Sequence, residues 1–196
     1  MKAIFLSESH KAHPLWWYEI WDGREYKTPD FEHFPIQAFM QTSIDKWKEF
    51  TTQADERIFV IESFFFQNTV GMFLMGGAEP ARLKEYAIEV QQITRQLNPI
   101  LIYFHQDDPA AALRRICSIR GKEFETELIE NMESFPFLSR RKIHGLDGVA
   151  ILWENIQAIT DAIFEESTIR KLAIETSGGN WQSYQRQILD FLDRVD

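Results

Sequence analysis

Apolar residues along the chain recur in two ways, as short continuous runs and as positions spaced three and four apart. The run Ile100–Phe104 is continuous, with the length and the β-branched and aromatic content of a strand covered on both faces. Lys2–Ser7, Arg57–Ile61 and Arg170–Glu175 read as further short strands. Helical spacing appears in Ile36, Phe39, Met40, Ile44, Trp47 and Phe50, and again in Leu83, Tyr86, Ala87, Val90, Ile93 and Leu97. Asn98-Pro99 stops the second of these helices. Phe64–Met75 is strongly apolar and predicts a buried turn and helix up to Gly76-Gly77. Asp108-Pro109 predicts a helix start, a capping carboxylate followed by proline in the first turn, and Gly121 its end. Phe124, Leu128, Met132 and Phe135 predict another helix, Leu152–Glu166 one more, and Tyr184–Val195 the last.

A strand, a helical crossover and a second strand predict a parallel sheet with right-handed connections. The fold class expected from this order is α/β: one domain over residues 1–196, three layers, with a mainly parallel sheet flanked by helices. In such sheets ligands sit beyond the carboxyl ends of the strands. Here those positions hold His105, Gln106, Asp107 and Asp108.

Composition narrows the function classes. A formal net charge of −9 argues against a nucleic-acid polymer or an anionic membrane as partner, since both need clustered Lys and Arg. One cysteine, Cys117, excludes an internal disulfide and fits a reducing compartment, with the cytoplasm the default. The N-terminal apolar run is too short for a signal sequence, and no stretch is long enough to span a bilayer. The expected partner is a small-molecule substrate.

The passage Asp108–Ile116 followed by Arg120-Gly121 resembles the strand-to-lid passage of P-loop nucleoside and nucleotide kinases, most of all the thymidylate-kinase and deoxynucleoside-kinase group. Leu6-Ser-Glu8 with Trp16 and Trp17 is similar to that group's acidic strand end and the Trp-containing stretch after it. Glu62-Ser63 stands where it has an acidic residue followed by arginine. Leu172–Asn180 and Trp181–Leu192 resemble its adenine-side loop and closing helix. The resemblance implies a P-loop NTPase-like fold with a lid-like region at about 109–145, and transfer of the ATP γ-phosphoryl to a small acceptor such as a nucleoside or nucleotide. It implies Glu8 as general base, Glu62 at the metal or acceptor, Trp16 and Trp17 against a ring, and Arg114, Arg115 and Arg120 on the transferring phosphates.

ATP and Mg²⁺ are expected for a complete family member, and nothing in this chain alone supports either. No G-x-x-x-x-G-K-[ST] loop occurs, and Met1-Lys2 falls where the resemblance places the family's second strand. The implied protein therefore carries an N-terminal strand and Walker A loop that this sequence lacks, and the chain as given would be inactive. In the family that strand lies between those matching Arg57–Ile61 and Ile100–Phe104. Its loss would force these two together, leave a gap, or admit a neighbouring chain, so self-association through strand edges is expected.

The same residues have plainer readings. Glu8 serves equally as a solvated strand-end carboxylate, Glu62 as a helix cap, and the tryptophans as an aromatic seal on the sheet. The arginines could pair on the surface with Glu123, Glu125 and Glu127, at about 0–1 kcal/mol each. Arg114 and Arg115 diverge by about 100° on a helix, so at most one faces a site; Arg115 and Arg120 are slightly favoured over Arg114. His10 and His13 lack a third metal ligand nearby, and Cys117 falls on an apolar helix face. The alternative function is a non-catalytic binding or interaction protein that keeps the kinase-like fold.

Overall fold

The structure is a computed structural model that describes residues 3–6, 36–54, 58–61 and 65–194. In chain order the elements are β1 (Ala3–Leu6), α1 (Ile36–Gln53), β2 (Ile58–Ile61), a π-helical stretch (Phe66–Gly71) running into α2 (Met72–Met75), and α3 (Pro80–Thr94). A 3₁₀ turn (Arg95–Leu97) leads to β3 (Ile100–His105), α4 (Pro109–Arg120), α5 (Lys122–Glu133), α6 (Pro136–Ser139), α7 (Gly145–Glu166), β4 (Arg170–Glu175) and α8 (Trp181–Leu192).

The expected three-layer α/β fold with a mainly parallel, P-loop NTPase-like sheet is not what forms. Most of the described residues are helical, and the strands make two separate parallel pairs. One pair is β1 with β2, Ala3 opposite Ile58; the other is β3 with β4, Ile100 opposite Arg170. The helix α3 therefore joins strands of different ladders and not neighbours of one sheet. Neither β2 nor β3 is buried on both faces: Ile58 and Val60 are 46% and 41% exposed, and Phe104 is 45% exposed. A continuous apolar run was the basis for expecting two covering layers, and these side chains lack the second cover.

The core is instead built helix on helix. Leu83 on α3, Leu113 on α4, Leu138 on α6 and Leu152 on α7 are fully buried and belong to one apolar cluster. Each such leucine contributes roughly 1.5–3 kcal/mol by leaving water. The positions 83, 86, 87 and 90 on α3 are all buried, as their 3–4 spacing requires, and Pro80 stands in that helix's first turn. Asn98 ends this segment in the left-handed region at φ 49°, a conformation that asparagine tolerates better than branched residues do.

Packing between α1 and α3 includes a polar cluster sealed from solvent. The Ser43 and Tyr86 hydroxyls are 2.8 Å apart, and the Trp47 indole N–H donates to the Tyr86 oxygen at 3.3 Å. Burial pushes the Tyr86 phenol up to about 12, outweighing the opposing pull of its hydrogen bonds to Ser43, Trp47 and Thr69.

α4 is held at both ends. The Asp108 carboxylate accepts from the Ala111 N–H at 2.8 Å, Pro109 opens the first turn, and Gly121 breaks the helix at φ 91°. α7 packs against α3, α4, α5 and α6. Among the described residues no helix is long and apolar enough to cross a membrane.

Candidate functional site at the carboxyl ends of β3 and β4

The polar crest after Phe104 becomes a cross-linked junction. Gln106, the first residue after β3, is held from three directions. Its Nε2 donates to the Thr176 hydroxyl at 2.6 Å, its Oε1 accepts from Arg115 at 3.3 Å, and its backbone is clasped by Gln157. In that clasp the Gln106 N–H donates to Gln157 Oε1 at 3.3 Å, and Gln157 Nε2 donates to the Gln106 carbonyl at 2.6 Å. One side chain and one peptide thus tie β3 to β4, α4 and α7.

The loop from β4 to α8 closes onto the same place. Thr176 donates through both its N–H and its hydroxyl to the His105 carbonyl, each at 2.9 Å. The Asp107 N–H donates to the Ser177 hydroxyl oxygen at 3.1 Å. The Ser177 hydroxyl and N–H in turn hold the Glu175 carboxyl below the usual carboxylate range. Gly178 and Gly179 follow, Gly179 at φ 66°, before Asn180 caps α8 by accepting from the Ser183 N–H at 3.2 Å. The first turns of α4 and α8 consequently start from touching loops, with the amide-rich ends of both helices at the crest.

An aromatic pair completes this end of the ladder. The rings of Phe104 and Trp181 meet edge to face at 6.2 Å, and Trp181 in turn meets Tyr184 at 5.5 Å. Trp181 is 65% exposed, so most of its ring faces solvent. Below the crest Tyr103 is buried against Phe66 and Phe164, and its hydroxyl donates to Asp161 at 2.8 Å beside Thr160. Burial raises the Tyr103 phenol well above its ordinary range.

The arginines of the lid-like passage do not converge. Arg114 pairs with Asp147 at the start of α7 at 3.1 Å, Arg115 reaches Gln106, and Arg120 lies over the Phe124 ring at 4.8 Å. Nor do Glu123, Glu125 and Glu127 form the expected surface pairs with them; Glu125 pairs with Lys122 at 2.5 Å. Cys117 is buried in the core, and its thiol is pushed up by desolvation, which leaves it a packing residue. Glu8, Glu62, Trp16 and Trp17, with His10 and His13, lie outside the described residues.

The described residues do not by themselves build a site for ATP and Mg²⁺. The Gly178-Gly179 turn has no following lysine, two of the three arginines point away from the crest, and no group of three or more His, Cys, Asp or Glu side chains there is arranged to hold a metal ion. The chain matches no protein-family model, no curated protein and no solved structure.

Gln157, Thr176 and Ser177 have no individual part in the sequence reading. A signal for the first exists: Gln157, Thr160 and Asp161 are spaced i, i+3, i+4 on one side of α7, a polar stripe that needs polar partners or solvent. Its counterparts, Gln106 and Tyr103, are more than 50 residues away in sequence.

Proposed function

We propose that the chain is a binding protein for a small nucleoside- or nucleotide-like molecule, taken up at the crest of β3 and β4. The observation that carries this reading is the double engagement of Gln106 with Thr176 and Arg115, which gathers a guanidinium, a hydroxyl-rich glycine loop and two strand ends in one place. A guanidinium there suits a phosphate by paired N–H donors. The exposed face of Trp181 suits a heterocyclic ring, since stacking needs a flat apolar surface of that size.

Calorimetric titration with thymidine, thymidine monophosphate and ATP tests the reading. Saturable binding is expected for at least one of the three, weakened about tenfold or more by Trp181→Ala, which removes a stacking surface worth about 1–3 kcal/mol. Arg115→Ala is expected to weaken the phosphorylated ligands and to leave thymidine unchanged. No heat with any of the three, or equal loss of nucleoside and nucleotide in Arg115→Ala, would overturn it.

Phosphoryl transfer from Mg·ATP to a nucleoside or nucleotide is the second reading. It draws on the one arginine of the three, Arg115, that reaches the crest. Steady release of ADP that depends on thymidine or its monophosphate, and that Arg115→Ala abolishes, would replace binding alone with catalysis.

A further inference from the structure

The last helix, α8, buries only part of its apolar surface. Among the described residues it packs chiefly on β4, with Tyr184 buried and Ile188 and Phe191 half-buried on its inward side. At about 100° per residue its apolar positions span an arc of about 160°, from Phe191 round to Leu189. The inward side takes one half of that arc. The other half carries Trp181, Leu192 and Leu189, which are 65%, 37% and 53% exposed.

Charges flank this open strip in a particular order. Arg186 and Asp193 stand seven residues apart, about two turns, and so share one flank of the helix. Asp190 and Arg194 lie further round. None of the four is in an ion pair among the described residues, although 186, 190 and 194 have the spacing for pairing along a helix. Two arginines against two aspartates make the segment neutral in a chain of formal net charge −9.

We infer that α8 docks against α8 of a second copy of this chain, the two helices antiparallel about a twofold axis beside Leu189. Such an axis sets each flank of the helix against the same flank of its partner in reversed direction. With the axis midway between positions 189 and 190, Arg186 of each copy faces the partner's Asp193, twice over, and the Leu189–Leu192 strips close on one another. Two chains of net charge −9 repel on most approaches, and a strip whose charges balance is where that repulsion is least. A lipid surface suits the helix less well, because interfacial helices carry a polar face rich in Lys and Arg, and here the acids equal the arginines in number. Trp181 lies about 13 Å along α8 from the axis, past the end of the partner helix, so the contact leaves its ring open and does not depend on any ligand at the crest.

Sedimentation velocity from about 1 to about 500 μM covers the relevant range of association. A monomer–dimer equilibrium is expected. Leu189→Asp, which places a carboxylate beside the axis in both copies, weakens it by about tenfold or more. Arg186→Asp removes two ion pairs and weakens it by about fivefold. Combining Arg186→Asp with Asp193→Arg rebuilds both pairs in reversed sense, and dimerisation is expected to return to within about twofold of the unaltered chain. Ile119→Asp, at an exposed position of α4, leaves it unchanged. All the altered side chains are exposed, so the far-UV circular dichroism of each variant should match that of the unaltered chain. A chain that stays monomeric through the whole range overturns the proposal, whatever else α8 then binds. A dimer indifferent to Leu189→Asp, or a double charge reversal no better than Arg186→Asp alone, overturns it equally.

Discussion

Leu113→Ala lowers the unfolding free energy by about 3–4 kcal/mol, within the range of roughly 2–5 kcal/mol for buried leucine truncations. Leu113 is fully buried in the cluster that also holds Val149 and Leu152 of α7. α4 cannot slide to refill the space, because Asp108 caps one end and Gly121, at φ 91°, fixes the other. Most of the lost volume therefore remains as a cavity. Ile119 on the same helix is 73% exposed, and Ile119→Ala is expected to stay within about 0.5 kcal/mol. Urea unfolding of the two variants, with the m-value unchanged, checks the contrast. Equal effects would mean that α4 does not pack on α7 through Leu113. Because Arg115 is two residues on from Leu113, the same cavity should also loosen its hold on Gln106.

Tyr86→Phe costs about 1–3 kcal/mol at neutral pH, because the Ser43 hydroxyl and the Trp47 N–H lose their shared partner while staying buried. Its second effect is on alkaline stability. Folded Tyr86 keeps its proton up to about 12, whereas the unfolded phenol gives it up near its ordinary value of about 10. Between these values the folded state binds more protons than the unfolded one, so stability falls as pH rises. The contribution is complete below pH 10 and lost through pH 12; two units correspond to about 3 kcal/mol. Tyr103, also raised, acts in the same direction. Unfolding titrations at pH 8, 10 and 11 should show a steep alkaline loss in the unaltered chain and a shallower one in Tyr86→Phe. Parallel curves would remove Tyr86 from that limb.

Most elements were legible because their signals are local. The spacing of Phe39, Met40, Ile44, Trp47 and Phe50 places α1, and all five are buried. Asp108-Pro109 and Gly121 bound α4 at the residues where it starts and stops. The last strand matches Arg170–Glu175, and α7 begins at Gly145, about two turns before the apolar pattern suggested. That early start is set by a contact. A Cβ at Gly148 would meet Ile143 Cγ2 at 3.0 Å, so the turn before α7 packs tightly over this glycine.

The site was less legible. His105, Gln106, Asp107 and Asp108 mark a strand end, and that much follows from an apolar run giving way to polar residues. Which of them organises the crest depends on Thr176 and Gln157, 70 and 51 residues away from Gln106. Arg114, Arg115 and Arg120 look equivalent in sequence and find three different partners: Asp147 on the facing α7, Gln106 just after β3, and the Phe124 ring four residues on.

The sequence by itself determined where helices and strands lie, since caps, glycine breaks and apolar periodicity act within a few residues. Only the tertiary structure decided which strands pair. Strand hydrogen bonds are indifferent to side-chain identity, and four short apolar runs are compatible with one sheet or with two. The helices settled the matter by burying one another through Leu83, Leu113, Leu138 and Leu152, leaving β2 and β3 each partly open to solvent and unpaired with the other.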